Sequence, residues 1–180
     1  LGDVYKRQTI NRWVIHYAPL LEEEFRKKHK RPVNDSWRMD ETFIPIKGKW
    51  TYLYRAVDKD GDTVDFMLSE TRDELAVRAF FIKAIKLHGI PEKVTIDKSG
   101  SNKAGLNAIN FQLALFALLG YSLMQIHIRQ IKYLNNIVEQ DHRFIKKITK
   151  PMMGFKAFNS AKSTIAGIEL WRMIKKGQYM

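Results

Sequence analysis

The chain of 180 residues is 45% hydrophobic, carries a formal net charge of +12 and contains no cysteine. Its length supports one substantial core with at most a small appendage, and the lack of cysteine excludes a disulfide framework and a thiolate zinc site. The basic charge favours a polyanionic partner, foremost nucleic acid. No run approaches the ~18 apolar residues of a membrane span, so we expect no membrane partner. The lack of cysteine favours an intracellular protein, with a cytoplasmic location expected.

The first predicted element is helical, over residues 9–30, because apolar residues recur there at intervals of three and four. Pro19 is expected to break or kink this helix. Residues 31–36 are rich in turn formers and are predicted to be a linker. The start of the chain has neither an initiator Met nor a signal-peptide pattern, which predicts a fragment of a longer reading frame with residues 1–8 foreign to it.

Three strands are predicted next, over residues 38–46, 50–57 and 63–69, because the apolar pattern changes to a period of two. Turn residues at 47–49 and the Asp-Gly within 58–62 connect them tightly, which predicts an antiparallel meander. Thr71 with Glu74 three residues later has the spacing of a capping box. This pair predicts the start of an amphipathic helix that continues over residues 75–87.

The second half of the chain alternates strands and helices. Short strands are predicted at residues 93–96 and 121–129, and helices at residues 104–119, 133–149 and 160–176. Pro151 is expected to stop the second of these helices. The whole order predicts an α/β fold in which helices cover a mixed five-stranded sheet, the antiparallel meander plus two further strands.

Two aspartates occupy comparable places in this predicted sheet. Asp40 lies in the first strand, and Asp97 directly follows the strand at residues 93–96. Ligands of open α/β sheets gather where strands end, so both are candidates for a site. Each alone is also consistent with a structural role, Asp97 in an Asx turn and Asp40 as an edge charge that discourages aggregation.

A third acid comes from the helix predicted at residues 133–149. At 100° per residue its apolar side chains form one arc, into which Asp141 projects. Asp141 must therefore find a buried partner, while Glu139 shares a polar ridge with Arg143 and Lys146. Three carboxylates without cysteine suit Mg²⁺ or Mn²⁺ better than zinc. Two such ions ~3.5–4 Å apart activate a hydroxyl and stabilise the leaving oxygen of a phosphodiester.

Several segments share one family resemblance: WRMDET at 37–42, KGKW at 47–50, YLYRAVD at 52–58, TIDKSG at 95–100, KYLNNIVEQDHR at 132–143 and GIEL at 167–170. They resemble the catalytic domain of bacterial insertion-sequence transposases of the DDE class, over about residues 9–178. The resemblance implies an RNase H-like fold. It also implies metal-dependent cleavage at the ends of an insertion element, followed by attack of the freed 3′-hydroxyl on target DNA.

The resemblance also implies roles for particular residues. Asp40, Asp97 and Glu139 match the DDE triad that would hold Mg²⁺ or Mn²⁺, with two ions expected. Lys146 matches a basic residue placed two turns after the glutamate, where it would contact DNA near the scissile phosphate. The further DNA-binding candidates are Arg143, Lys147 and Arg12. His142 is expected to face DNA or to cap the helix, and Glu139 must lie near the helix start to reach the aspartates.

The predicted organisation follows the same family. Residues 1–30 are interpreted as the remnant of a helix-turn-helix region, residues 31–36 as a linker and residues 37–180 as the catalytic domain. The expected partners are double-stranded DNA, both element ends and target, and further copies of the chain in a homodimer or larger complex on the bacterial nucleoid. Two alternatives stay open: an RNase H-like nuclease or resolvase without strand transfer, and an inactive DNA-binding remnant of a decayed element.

Overall fold

The computed structural model describes residues 7–121 and 124–180. Its strands are β1 (Ser36–Ile46), β2 (Lys49–Asp58), β3 (Thr63–Ser69), β4 (Lys93–Ile96) and β5 (His127–Gln130). Its helices are α1 (Arg7–Lys28), α2 (Glu74–His88), α3 (Gly100–Leu118), α4 (Asn136–Thr149) and α5 (Phe158–Lys175). Short 3₁₀ turns precede and follow α4, at Lys132–Asn135 and Lys150–Met152.

The five strands form one mixed sheet in the order β3-β2-β1-β4-β5. β2 and β3 are antiparallel, whereas β4 runs parallel to both β1 and β5. β1 and β2 are joined by two residues, Lys47 and Gly48, both with positive φ. Such a two-residue turn connects only antiparallel strands, and its twist matches theirs. The predicted sheet of an antiparallel meander plus two further strands is therefore confirmed.

Helices cover both faces of the sheet. On one face, α2 and α3 bury a cluster that includes Trp37, Met39, Tyr54, Phe80 and Leu106. α3 approaches α2 closely at Gly105, where an added Cβ would lie 2.6 Å from Cγ1 of Val77. Because side chains alternate along a strand, Asp40 and Arg55 point to the opposite face. That face is covered by α4, whose Val138 and Ile145 are fully buried.

The chain divides into two compact units. One contains the described part of residues 1–31 with residues 45–49 and 150–180; the other contains residues 32–44 and 50–149. In the first unit α1 lies against α5, where a Cβ added at Gly167 would lie 3.1 Å from that of Ala18. α1 runs through Pro19 without the expected break, since packing against α5 supports the helix past its missing hydrogen bond. The origin of residues 1–30 in a helix-turn-helix stays a prediction.

Several predicted boundaries differ from the structure, and three of the differences are informative. α2 is capped by Asp73 rather than Thr71, and the Asp73 carboxylate accepts a hydrogen bond of 2.8 Å from the Ala76 N–H. α3 begins at Gly100, four residues early, because the small polar residues that favour turns also favour helix starts. β5 is confined to His127–Gln130. Within the described ranges, no helix has the length and apolarity to cross a bilayer.

Candidate active site

The register of β1 and β4 brings two predicted acids to one edge of the sheet. These parallel neighbours pair Ser36 with Lys93 and Arg38 with Thr95. Two residues further along the same register, Asp40 stands beside Asp97. Adjacent strands lie ~4.8 Å apart, so the two carboxylates share the carboxyl end of β4.

Asp97 is held by hydrogen bonds to one of its two oxygens. Its Oδ1 accepts from the Ser99 N–H at 3.0 Å and from Nδ2 of Asn102 at 3.1 Å. The hydrogen bond from Ser99 forms the Asx turn that was predicted as a structural role for Asp97. This turn lies at the edge of the candidate site. None of the described residues donates to Oδ2 of Asp97, which therefore keeps its acceptor capacity.

Asn102 and Glu41 support the sheet edge that carries Asp97, and the sequence analysis identified neither of them. The fully buried Asn102 also donates to Oε2 of Glu41 at 3.0 Å. Glu41 is buried and forms an ion pair with Arg72. A buried amide that bridges two carboxylates fixes the position of the one that is not ion-paired, Asp97. The only signal in the sequence for Glu41 is that an acid occupies an inward-facing position of a strand.

Asp40 lies in a strongly anionic environment. Its side chain is only 19% exposed. Burial, followed by the neighbouring Glu41 carboxylate, raises the pKa of Asp40 to about 7, although the Glu41 N–H partly opposes the shift. The carboxylates of Asp97 and Glu139 raise that pKa further. Both of these predicted acids therefore lie within electrostatic reach of Asp40.

His142 is buried against Asp40 rather than facing DNA or capping the helix. Its Nδ1 lies 3.7 Å from Oδ2 of Asp40. Burial, with Arg55 and Lys146 nearby, lowers the pKa of His142 to about 3. The imidazole is therefore neutral at physiological pH and supplies no positive charge to Asp40. Its Nε2 is buried without a hydrogen-bond partner among the described residues.

Glu139 stands in the first turn of α4 and is exposed. The start of this helix is tied to β1, because Nδ2 of Asn135 donates to the Met39 carbonyl at 3.2 Å. Met39 directly precedes Asp40, so the tie places the Glu139 turn beside the aspartate edge. In the described part of the chain, no three His, Asp or Glu side chains lie close enough together to enclose a metal ion.

The buried partner that the sequence demanded for Asp141 is Arg55. Nη2 of Arg55 lies 2.6 Å from Oδ2 of Asp141, and both side chains are at least 95% buried. The pair links the middle of β2 to the middle of α4. A buried charge persists only when it is paired, so Arg55 within the apolar run of β2 was the sequence signal for this contact.

The family is established by comparison with known proteins. A family model described as a DDE domain, of the IS240 transposase type, matches residues 34–178. The chain belongs to the DDE transposase family. The domain is 40% identical over 171 residues to the transposase for insertion sequence-like element IS431mec of Staphylococcus aureus, covering 94% of this chain and 71% of that protein. The transposase of element IS257 in transposon Tn4003, also from Staphylococcus aureus, matches with the same values.

Solved structures with the same fold share little sequence with this DDE domain. A chain of the simian T-cell lymphotropic virus intasome, solved with PP2A regulatory subunit B56 gamma, aligns with a TM-score of 0.53 and 16% identity over 80% of this chain. This chain spans about half of that one, 49%. The HTLV-2 integrase catalytic core, solved with magnesium in a trimeric form, gives 0.52 and 17% over 78% of this chain and 84% of its own. The predicted RNase H-like fold is confirmed.

These comparisons confirm that the chain is a DNA transposase catalytic core, and hence a polynucleotidyl transferase. Its α4 surface carries the predicted cations in an accessible position. Arg143, Lys146 and Lys147 are exposed, and none of them pairs with a carboxylate in the part of the chain that the structure describes. Arg12 is exposed on α1, in the other compact unit.

Proposed function

We propose that this DDE domain cuts DNA at the ends of its insertion element and joins the freed 3′-hydroxyl to target DNA. Asp40, Asp97 and Glu139 are the proposed metal-holding carboxylates. The observation that carries the proposal is the uncompensated negative charge at the sheet edge, where burial and the carboxylates of Glu41, Asp97 and Glu139 raise the pKa of Asp40 to about 7. Acids gathered without a cation cost folding free energy, which a divalent ion offsets.

The donor set fits Mg²⁺ or Mn²⁺, since carboxylate oxygens are the preferred ligands of these ions. Two such ions, when bound, activate a water or 3′-hydroxyl and stabilise the leaving oxygen of the phosphodiester. Asn102 orients Asp97 by donating to Oδ1, and Oδ2 keeps its acceptor capacity for a metal ion. Glu139 is exposed in the first turn of α4, so packing does not hold its side chain away from the aspartates.

The cations of α4 are proposed to hold the DNA backbone. Lys146 follows Glu139 by two helical turns, and Arg143 follows it by one, so both share the exposed ridge of the proposed triad glutamate. Phosphate contacts of this kind position DNA without reading its sequence. Lys147 and Arg12 are proposed as further phosphate contacts. The proposed active form pairs two element ends in a homodimer or larger complex, in the bacterial cytoplasm.

A strand-transfer assay tests this function. The protein is incubated with Mg²⁺ or Mn²⁺, a plasmid and a labelled oligonucleotide that ends at the 3′ terminus of the element. We expect the label to be joined to the plasmid, and Asp97→Asn to lower joining by roughly 10²–10³-fold or more, as for loss of one transition-state contact. Glu74→Gln, an exposed acid of α2, is the matched control and retains joining.

The other outcomes of that assay separate the alternatives. Cutting without joining identifies a nuclease or resolvase, and DNA binding without either reaction identifies an inactive remnant. Full joining by Asp97→Asn contradicts the proposed triad while leaving the family unchanged.

A further inference from the structure

Two turns of the compact unit that contains α1 and α5 lie side by side and form an open groove. One turn connects β1 to β2, and the other follows the 3₁₀ turn at Lys150–Met152. Backbone hydrogen bonds join them. The Lys47 N–H donates to the Phe155 carbonyl at 2.8 Å, and the Phe155 N–H donates to the Pro45 carbonyl at 2.9 Å. The groove between the two turns has a volume of about 520 Å³, and we call it the turn groove.

Met153 lines the turn groove and is held in solvent by its backbone. Its side chain is 94% exposed, the largest exposed fraction among the large apolar side chains of the described residues. Its φ of 54° is uncommon for a residue other than glycine. The next residue, Gly154, lies so close to β1 that an added Cβ would be 3.0 Å from the Pro45 carbonyl oxygen. A single exposed apolar residue needs no explanation, but one presented on a strained, hydrogen-bonded turn is a candidate for function.

The two turns also carry uncompensated positive charge. Four exposed lysines stand on them: Lys47, Lys49, Lys150 and Lys156. None of the four pairs with a carboxylate among the described residues. The sequence around them offers no partner either, because residues 42–57 and 142–168 contain no Asp or Glu. Each turn therefore brings two free cations, and Met153 lies between the two lysines of the second turn in the chain. Such a surface is complementary to a polyanion.

We propose that the turn groove binds duplex DNA and that Met153 inserts between two base pairs and kinks the duplex. Proteins that bend DNA insert apolar side chains, methionine among them, between base pairs, and cations beside the insertion hold the phosphates. The lysines on both turns supply those cations. A duplex fits better than a single strand, because single strands are bound by stacking bases on exposed aromatic rings. The aromatic residue of the turn groove, Phe155, is only 8% exposed.

This inference rests on the proposed function in one respect, that DNA is the partner, and adds a second property to the binding. The phosphate contacts proposed for α4 position DNA without deforming it. Insertion of Met153 unstacks one base step, and the cost of unstacking depends on the sequence of that step. Pyrimidine–purine steps such as TA kink most easily. The turn groove therefore introduces a preference for flexible steps without any hydrogen bond to a base.

Bending is measured with a duplex of about 20 base pairs that has a central TA step and a donor and an acceptor fluorophore at its two ends. The full chain is added in a chelator-containing buffer, so that binding is observed without cleavage or joining. We expect energy transfer to rise on binding, as for a kink of roughly 20–90°. Met153→Ala should still bind, because the lysines remain, but lose most of that rise. Met124→Ala alters a 71% exposed methionine of the other unit and is the matched control. Binding without a rise, or a full rise with Met153→Ala, overturns the inference.

The double variant Lys47→Ala/Lys156→Ala tests the cations of the turn groove. The slope of log affinity against log salt should become shallower by about 2, one for each lost phosphate contact. Lys59→Ala/Lys86→Ala removes two exposed lysines of the other unit and is the matched control. Equal changes of slope in the two double variants overturn the turn groove as a DNA site. Because neither measurement requires metal or joining, a bent duplex without strand transfer contradicts only the proposed function, and strand transfer on an unbent duplex contradicts only this inference.

Discussion

Asp40 and Asp141 are two largely buried carboxylates that face different surroundings. Asp141 is 4% exposed and lies against the guanidinium of Arg55 at 2.6 Å. Asp40 has no such cation among the described residues, and Asp97 and Glu139 add negative charge beside it. Both acids lie inside segments that carry the family resemblance, WRMDET and KYLNNIVEQDHR, so neither position nor residue type separates them.

Charge balance is what separates them. A buried carboxylate that already has its cation is part of the scaffold, because removing either partner leaves an unpaired charge in the interior. A buried carboxylate surrounded by acids is poised to bind a cation from solution. The contrast supports a structural role for Asp141, which holds α4 in place, and the proposed metal-holding role for Asp40.

The largest effect on stability is expected from Asp141→Asn. The substitution leaves the Arg55 charge buried without its ion pair, which should cost about 3–5 kcal/mol in the free energy of unfolding. Urea denaturation followed by circular dichroism measures this cost. Replacing both partners, as Arg55→Met/Asp141→Leu, should restore most of the lost stability because no charge is stranded. Equal destabilisation by the single and the double variant would contradict a purely scaffolding role for the pair.

Asp40→Asn is expected to act in the opposite direction. Because the pKa of Asp40 is raised to about 7, its stabilising contribution is fully present below pH ~4 and is lost as the pH rises toward 7. Asn cannot ionise, so the variant should match wild type near pH 4 and be more stable above pH 7, by on the order of 3 kcal/mol. Melting temperatures in chelator-containing buffer measure the difference.

Added Mg²⁺ provides the control for that comparison. It should raise the melting temperature of the wild type and leave that of Asp40→Asn nearly unchanged, because the substituted site lacks a ligand. A variant that is less stable than wild type at pH 8 would contradict the charge balance described for Asp40.

A smaller effect is expected from Asn102→Ala. This side chain touches Asp97 and Glu41 and is fully buried, so it acts by positioning Asp97. Its loss should weaken metal affinity by about 10–100-fold, as for other residues that orient a metal ligand. Titrating Mn²⁺ in the strand-transfer assay separates the two possible results. A shifted metal requirement with an unchanged plateau supports positioning, whereas a lower plateau alone contradicts it.

The smallest effect is expected from Lys146→Ala, since it lies on the exposed ridge and has no carboxylate partner among the described side chains. DNA affinity should fall uniformly across sequences, and the slope of log affinity against log salt should become shallower by about 1. Fluorescence anisotropy with DNA duplexes at several salt concentrations measures both. Lys86→Ala on α2 is the matched control, and an equal change in its salt slope would argue against the ridge.

The sequence was sufficient for local features and insufficient for those that depend on distant contacts. The strands and helices followed from periodicity, and helical geometry alone showed that Asp141 needed a buried partner. Arg55 was visible as a cation within the apolar run of β2, but its pairing with Asp141 was not, because the two residues are separated by 86 positions and meet only after the sheet is assembled.

The site shows the same limit. Asp40 and Asp97 each carried a signal at a strand end, but their alignment depends on β1 and β4 being parallel neighbours, which no local pattern encodes. His142 was misplaced because the helical wheel indicates only the apolar arc, and a neutral histidine beside Asp40 lies outside it. Asn102 was missed because the turn-like residues before it concealed the early start of α3.

Gly105 affects the candidate active site although it is not one of its residues. It lets α3 rest directly on α2, with no room for a methyl group before Val77. Asn102 lies one turn earlier on the same helix and donates a hydrogen bond to Asp97. A side chain at position 105 would displace that turn of α3, and with it Asn102, so that Asp97 would move away from Asp40. The spacing of the acids thus depends on an apolar contact between α2 and α3.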